Sequence, residues 1–409
     1  MRARALVLLG CLIAAAATVL LTVPFPVLPG AHPHVDVTRD FTPAQLAREQ
    51  AFHVAARPAS YAALVLGLVV AGVLGLTRWG PRLVSRLPGS WAVRATLATV
   101  TLLLIPRLAV LPFEAQDERV LRRYGLSTQD WPSWLADQSK ALTITCGTTV
   151  LVVLVLLALV RALPRTWWLA GAACAALLVL GGSFAYPLVV EPAFNHFTPL
   201  SAGPLRTDLL DLAARDGVPV KDVLVADASR RTTALNAYVS GFGSSRRIVV
   251  YDTLLREQTP AEVRLVVAHE LGHAKRQDVL HGTLIGAFLG AAGICALSLL
   301  LSSRRLLDRL GATGPGDPRV LPLVIFLAAL APLLAAPLTN VVSRHIEARA
   351  DVHSLELTGD VDTFISSEQT LSTVNLSDLK PSPLAYALFF THPSGPERIA
   401  LAREWQRLR

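Results

Sequence analysis

Seven long apolar runs constrain the fold of this chain more than any other feature. They lie at about Leu6–Val27, Ser60–Leu76, Ala95–Leu111, Ala141–Val160, Trp167–Val190, Thr283–Leu301 and Val320–Val342. A helix needs about 20 apolar residues to cross a bilayer, so each run is a candidate membrane span. Only 17% of the 409 residues are charged, whereas charged residues make up about a quarter of an ordinary soluble domain. We therefore expect a mainly α, multi-pass membrane protein whose obligatory partner is the lipid bilayer.

The basic residues follow the membrane spans. The chain has a formal net charge of +8 and a sequence pI of about 9.7. A nucleic-acid-binding domain would concentrate its basic residues in one patch. Here they flank the apolar runs, as charges that set membrane topology do. No nucleic acid partner is expected, and the expected location is the plasma membrane.

Polar stretches divide the chain into four segments. Residues 1–190 are expected to form a membrane region with five transmembrane helices. The first helix is expected to be retained, because Pro24, Pro26 and Pro29 stand where a signal peptide would have small cleavage-site residues. Residues 191–281 are expected to form a first polar segment, residues 282–342 to add helices six and seven, and residues 343–409 to form a C-terminal polar segment. The motifs described below make the two polar segments the expected catalytic segments. The polar segments are expected to pack together as one domain.

The segment 191–281 combines helix and strand patterns. Pro204–Arg215 has the leucine spacing of a helix, and Asp222–Asp227 is typical of a short strand. Ala237–Phe242 and Arg246–Tyr251 flank Gly243-Ser244-Ser245, which predicts a β-hairpin. We therefore expect a small α+β domain here.

A second helix in this segment begins at a well-defined point and carries a metal-binding motif. Thr259 can cap the helix, Pro260 suits its first position, and Glu262 completes a capping box. Further along the same helix stands the HExxH motif His269-Glu270-Leu271-Gly272-His273.

The HExxH motif suits one metal ion. Two histidines four residues apart project from one helix face, so both imidazoles can reach the same ion. Glu270 is turned about 100° away, where it can approach a water molecule at the metal without binding the ion. The surrounding helix is apolar, and unpaired His and Glu side chains would be costly there. One Zn²⁺ per chain is therefore the expected cofactor, with His269 and His273 as ligands.

Catalytic zinc needs a third protein ligand and keeps one position open. The last apolar run leads directly into Glu347 and Asp351, which are four residues apart and share a helix face. Glu347 suits the third ligand, and Asp351 can accept the second N–H of a ligating histidine. His345 and His353 are alternative third ligands that the residues alone leave open.

Several motifs occur in an order that resembles one known family. They are Asn236-Ala237-Tyr238, Asp252-Thr253-Leu254-Leu255, the HExxH motif, Ser343-Arg344-x-x-Glu347-x-x-Ala350-Asp351, and His392-Pro393 followed by Arg398. The same family is matched by two further runs, Glu191–Leu200 and Arg123–Ser127, and by the number of membrane spans. From about Phe52 onward the chain resembles the type I CaaX prenyl endopeptidases, which are integral-membrane zinc metalloproteases.

The resemblance implies a fold and a set of residue roles. The seven transmembrane helices are expected to form a chamber, accompanied by a small zincin-like catalytic domain. Glu347 is implied as the third zinc ligand. His392 and Arg398 are implied to contact the scissile peptide or to stabilise the oxyanion, and Asn236 to lie on the edge strand that pairs with substrate.

The expected reaction is hydrolysis of a peptide bond by zinc-activated water, with Glu270 as the general base. Expected substrates are peptides or membrane proteins, prenylated or unprenylated. The rival hypothesis is a multi-pass transporter or channel with a structural or vestigial zinc site. A structural site has no need of a general base, so the intact Glu270 favours the protease.

Two signals disagree about which side of the membrane holds the catalytic residues. Loops on the other side carry many basic residues, including Arg78, Arg82, Arg86, Arg304, Arg305 and Arg309. The positive-inside rule would place those loops in the cytoplasm. The resemblance implies instead that the catalytic side faces the cytosol. We follow the resemblance, because tightly packed helices and polar domains weaken charge counting.

Overall fold

A computed structural model describes residues 1–241, 243 and 246–409, and within them seven helices are long and apolar enough to cross a membrane. In chain order the helices are α1 (Arg2–Thr22), α2 (Val37–Asp40), α3 (Pro43–Leu76), α4 (Trp79–Ser85), α5 (Trp91–Arg123), α6 (Trp131–Ala162), α7 (Trp167–Ala185), α8 (Glu191–Phe194), α9 (Pro204–Arg215), α10 (Asp252–Glu257), α11 (Pro260–Arg276), α12 (Asp278–Leu300), α13 (Arg304–Leu310), α14 (Leu321–Thr358), α15 (Val361–Val374), α16 (Pro383–Phe389) and α17 (Gly395–Arg407). Each predicted span overlaps one of α1, α3, α5, α6, α7, α12 and α14. The prediction of a mainly α, multi-pass membrane protein is confirmed.

Four membrane helices, α3, α5, α6 and α14, are too long to end at the bilayer surface. α3 has 34 residues and α14 has 38, so at about 1.5 Å per residue α14 is roughly 57 Å long. The hydrocarbon core of a bilayer is only about 30 Å thick. The polar C-terminal half of α14 therefore continues out of the apolar span as part of one continuous helix. The predicted boundary between residues 342 and 343 lies inside this helix.

The membrane helices pack in a defined order of neighbours. α14 packs on α3, α3 on α5, α5 on α6, α6 on α7, and α7 on α12, which also contacts α1. Arg107 of α5 pairs with Glu114 and donates a hydrogen bond to Gln138 of α6 at 2.8 Å. This charge is thus satisfied by other protein groups, which avoids the cost of facing lipid.

A small sheet lies beside the long helices. Its strands are β1 (Phe197–Pro199), β2 (Asp222–Ala226), β3 (Ala237–Ser240) and β4 (Arg247–Tyr251), in the spatial order β1-β2-β4-β3. β3 and β4 pair antiparallel, so the predicted hairpin is confirmed, whereas β2 and β4 are parallel. Phe242, Ser244 and Ser245, which belong to the predicted strand end and turn, lie outside the described residues. Within the described part of the chain, β3 has a strand neighbour on one side only.

Buried aliphatic side chains join the sheet to α9 and α11. They include Leu209 and Leu212 from α9, Val223, Ile248 and Val250 from the sheet, and Val263, Val267 and Leu271 from α11. A fully buried Leu, Ile or Val side chain contributes about 1.5–3 kcal/mol to stability. Because one face of α11 is buried against this core, its other face is available to meet α14.

Candidate metal centre and active site

α11 begins as its sequence predicts. The Thr259 hydroxyl accepts a hydrogen bond from the Glu262 backbone N–H, and the Glu262 carboxylate accepts one from the Thr259 backbone N–H at 2.9 Å. Pro260 occupies the first turn. This capping box satisfies N–H groups that would otherwise lack partners. The predicted start of the helix is confirmed.

His269, His273 and Glu347 bring their ligand atoms to one point. The atoms lie within 4.8 Å of one another. The two imidazole Nε2 atoms are 3.1 Å apart, and Glu347 Oε2 is 3.2 Å from Nε2 of His269. The two histidines are one turn apart on α11, whereas Glu347 comes from α14. The site therefore depends on the packing of these two helices.

Gly272 permits this close packing. A Cβ atom at Gly272 would lie 3.0 Å from the Cδ2 atom of His353 on α14, which is tighter than ordinary carbon contacts. The glycine within the motif thus lets α11 approach α14 closely enough for Glu347 to meet the histidines.

The structure separates the alternative third ligands from this cluster. His345 Nδ1 lies 2.9 Å from the Val341 carbonyl oxygen, and its ring packs on Phe25. His353 Nε2 lies 3.0 Å from a carboxylate oxygen of Asp216. Of the three candidates, the structure brings Glu347 to His269 and His273.

The donor set fits a metal cation. The Nδ1 atom of each histidine faces a carboxylate, so in the neutral tautomer that donates there, the Nε2 lone pair is directed into the cluster. Glu347 Oε2 is buried and lacks a hydrogen-bond donor among the described residues. Two lone pairs and a carboxylate oxygen that converge in this way repel one another without a cation between them.

Electrostatics supports the same conclusion. Burial opposes charge on both imidazoles, but Asp351 and Glu347 raise the pKa of His269 to about 9. Asp278 and Glu347 likewise raise the pKa of His273 to about 10 against the effect of burial. A field that retains extra protons on two imidazoles also attracts a metal cation.

A buried network orients His269. Its Nδ1 atom is 2.9 Å from Asp351 Oδ1, and Asp351 is fully buried. Arg398 donates through Nε to Asp351 Oδ2 at 2.9 Å, and its Nη1 lies 2.8 Å from Glu368 Oε1. Burial raises the pKa of Glu368 to about 7, although Arg398 opposes this shift. Arg398 is thus held between two carboxylates, and it is linked to the metal cluster through Asp351.

His273 has a matching partner that the sequence reasoning missed. Its Nδ1 atom is 2.9 Å from Asp278 Oδ2, and Asp278 also pairs with Arg349 of α14. Asp278 is the first residue of α12, directly after Gln277, which has the left-handed backbone conformation with φ of 56°. The sharp connection between α11 and α12 returns this carboxylate to the histidine. The one signal in the sequence that could have identified this partner is an acidic residue five positions after the last histidine of the motif.

Replacing Asp278 with asparagine should lower metal affinity by about 10–100-fold, the usual effect of losing a partner that orients a ligating histidine. Arg349 would keep its hydrogen bond to the Thr22 carbonyl at 2.7 Å, so the helices should stay packed. Competition with a fluorescent chelator would measure the affinity. Asp308→Asn, at an exposed position of α13, is the matched control. Equal affinities of Asp278→Asn and the control would contradict the role of Asp278.

Glu270, Asn236 and His392 line two cavities that meet at the cluster. One has a volume of about 400 Å³ and extends toward α15 and α17, and the other has a volume of about 720 Å³ and extends along β3. The Glu270 carboxylate forms no hydrogen bond or ion pair with another described residue, and burial raises its pKa. Asn236 directly precedes β3. His392 Nε2 lies 3.3 Å from Glu347 Oε2.

Arg344 has a different role from the predicted one. Its position on the same helix as Glu347 and Asp351 predicts a structural salt bridge to one of these carboxylates, and this prediction is wrong. Its Nη1 donates to the carbonyls of Tyr386 and Phe390 at 3.1 and 2.7 Å, and its guanidinium stacks on the Tyr386 ring. Arg344 therefore anchors the chain that leads into His392, because its two carbonyl acceptors lie six and two residues before that histidine.

Comparisons with known proteins match both halves of the chain. The model of peptidase family M48 matches residues 199–406, and the model described as CAAX prenyl protease N-terminal, five membrane helices, matches residues 40–196. An uncharacterized metalloprotease, YhfN of Bacillus subtilis, is 32% identical over 74% of this chain and 71% of its own length. A CAAX prenyl protease 1 homolog of Oryza sativa is 34% identical over about half of each chain, 53% and 51%. The crystal structure of S. mikatae Ste24p shares the fold, with a TM-score of 0.80 over 98% of both chains at 19% identity.

Proposed function

Since this chain belongs to peptidase family M48 and is a membrane metalloprotease related to the CAAX prenyl proteases, we propose that it is a zinc endopeptidase. One Zn²⁺ per chain would be held by His269, His273 and Glu347. The convergence of their ligand atoms beside Glu270, whose carboxylate has no partner among the residues that the structure describes, carries this proposal. Two nitrogens and one carboxylate oxygen are a usual ligand set for catalytic zinc.

The protein groups divide the chemistry between them. Glu270 accepts a proton on its carboxylate from the attacking water and returns it to the leaving amine. Burial raises the pKa of the Glu270 carboxyl toward neutral pH, and a general base is most effective when its pKa lies near the working pH. His392 donates a hydrogen bond to the peptide oxygen as negative charge develops there. When bound, the metal supplies Lewis-acid polarisation of the carbonyl and lowers the pKa of water toward 7.

The remaining residues position these groups. Asp351 and Asp278 orient the two histidines, and we propose that Arg398 acts through Asp351, since its N–H groups are directed at Asp351 and Glu368. Asn236 precedes the edge strand β3, along which an extended substrate would add a further strand. Its side-chain oxygen accepts a hydrogen bond from the Ala237 N–H at 2.9 Å. This contact holds the Asn236 side chain against the start of β3.

The rival function, a transporter or channel with a structural metal site, accounts less well for Glu270. A structural site is closed by its ligands and needs no free carboxylate. Here a half-buried carboxylate that has no partner among the described residues adjoins the cluster, in a chain of a protease family. Burying such a group costs stability, so a catalytic use explains its presence best.

We propose that the substrate is an extended peptide segment, free or in a membrane protein, and that a prenyl group is not required. The test compares cleavage of a quenched peptide with cleavage of the same peptide carrying a farnesyl group. Both are incubated with detergent-purified, zinc-loaded protein. Similar kcat/KM values are expected, and a chelator should abolish both activities. A strong preference for the farnesylated peptide would assign the chain to prenyl-peptide processing. If zinc-loaded protein cleaves neither peptide, the structural-metal alternative becomes the better account.

We further propose that the protein lies in the plasma membrane with its catalytic side in the cytoplasm. The resemblance to the prenyl endopeptidases implies this orientation, although the Arg-rich loops at the opposite end favour the reverse. Single cysteines introduced at Arg305 and at Arg409, in a variant lacking the native cysteines, can be labelled in intact cells with an impermeant maleimide. Labelling at position 305 only is expected. Labelling at position 409 only would reverse the proposed orientation.

A further inference from the structure

The larger cavity extends well beyond the groups that perform hydrolysis. It has a volume of about 720 Å³ and contains Glu270, His273 and Glu347 in one part and Gly241 and Arg246 in another. It is lined by β3 along its length, from Ala237 to Val239. A cavity of this size and shape accommodates several residues of an extended peptide.

Arg246 is an unpaired cation in this cavity. Its guanidinium forms no hydrogen bond or ion pair with any described residue, and its side chain is half-buried. The neighbouring Arg247 differs, because it donates to the Pro187 carbonyl at 3.2 Å and lies over the Phe197 ring. The cavity carboxylates of Glu347 and Asp278 are already directed at histidines or Arg349. A half-buried guanidinium with free donors is well suited to bind an anionic group of a ligand.

The sheet sets the distance between this cation and the catalytic groups. Arg246 directly precedes β4, whose first residue, Arg247, pairs with Ser240 at the end of β3. Asn236, which adjoins the catalytic groups, precedes the other end of β3. From Asn236 to Gly241 is about 16 Å at roughly 3.3 Å per residue. A peptide that lies along this edge would therefore reach Arg246 about three to five residues from its scissile bond.

We propose that Arg246 forms a subsite for a substrate carboxylate located about three to five residues from the bond that is cut. This inference rests on the proposed peptidase function. A guanidinium binds carboxylate through two parallel hydrogen bonds. The carboxylate belongs either to an Asp or Glu side chain or to the C-terminus of the substrate, since the chemistry at Arg246 is the same for both.

A peptide series can separate these two sources. One set has C-terminal amides and carries a single Glu or Gln at successive positions on each side of the scissile bond. The other set is truncated so that a free C-terminal carboxylate, or its amide, falls at the same positions. Binding is measured by fluorescence anisotropy with the Glu270→Gln variant, which should hold the peptides uncut, and kcat/KM is measured with the active enzyme. The neutral peptides report the proposed peptidase function independently of Arg246.

We expect that Glu at one position improves binding and kcat/KM by about 5–20-fold over the peptide with Gln there. This size lies between the contribution of an exposed ion pair and that of a buried bidentate pair. Arg246→Gln should remove this preference and leave neutral peptides unaffected. Arg246→Glu should favour a Lys at the same position. Arg256→Gln is the matched control, since Arg256 is an exposed residue of α10 that pairs with Asp252 and is not part of the cavity lining. The proposal is overturned if the wild type shows no acidic preference, or if Arg246→Gln weakens acidic and neutral peptides equally.

Discussion

Replacing Glu270 with glutamine is expected to lower kcat by about 10²–10⁴-fold, the usual contribution of a positioned general base, while metal content stays stoichiometric. Glutamine has almost the same shape as glutamate but cannot accept the proton of the attacking water. The Glu270 carboxylate is not part of the ligand cluster and has no hydrogen-bond partner among the described residues. Its replacement should therefore leave both the ligands and the fold in place.

Two measurements on the same purified sample check this prediction. Elemental analysis gives the metal per chain, and cleavage of a quenched peptide gives kcat and KM. Glu257→Gln, at the exposed end of α10, is the control for a general effect of removing one carboxylate. The assignment of Glu270 as the general base fails if the variant retains wild-type kcat. Loss of the metal in this variant would instead make Glu270 a ligand.

Replacing Glu347 with alanine is expected to abolish both metal binding and activity. Without this carboxylate only His269 and His273 face the ion, and two ligands do not complete a catalytic zinc site. The loss of affinity should exceed the roughly 10–100-fold effect expected for partners of the ligands, such as Asp278. Metal content and metal affinity, measured as for Asp278→Asn, show which of the two variants loses more affinity.

His345→Ala is the matched control for Glu347→Ala. His345 lies two residues away on the same helix and was one of the two alternative candidates for third ligand, but it faces the Val341 carbonyl oxygen and Phe25. The His345→Ala variant should therefore retain both metal binding and peptidase activity. Thermal unfolding of both variants without metal tests whether either change disturbs the packing of α14. If Glu347→Ala binds metal as tightly as the wild type, the proposed ligand set is wrong.

Local patterns account for the predictions that succeeded. Apolar runs of about 20 residues predicted the spans, and Thr259, Pro260 and Glu262 predicted the start of α11. These features depend on the lipid environment of a segment and on contacts within one helical turn. The β3–β4 hairpin also follows from neighbouring residues. The three-residue strand β1 was missed, because its few residues carry too little pattern and it forms by pairing with β2.

Partners far apart along the chain were harder to predict. Asp278 meets His273 because α12 turns back sharply after Gln277, and Glu368 reaches Arg398 because α15 packs beside α17. Arg344 was assigned a carboxylate partner on its own helix, whereas it binds carbonyls that precede His392. In each case the partner depends on how helices pack, which no spacing within one helix reveals.

The sequence by itself determined that this chain crosses a membrane several times and that one helix presents two histidines and a glutamate for metal chemistry. Residue composition and helical spacing suffice for these conclusions, because they concern single segments and their solvent. Only the tertiary structure decided that Glu347, and not His345 or His353, meets the histidines. It also decided that Arg246 lines the cavity beside them, where no other described residue pairs with its guanidinium. These relations join α11, α14 and the sheet edge across long stretches of chain. They are set by the close approach of α11 and α14 at Gly272 and by the packing of one buried core.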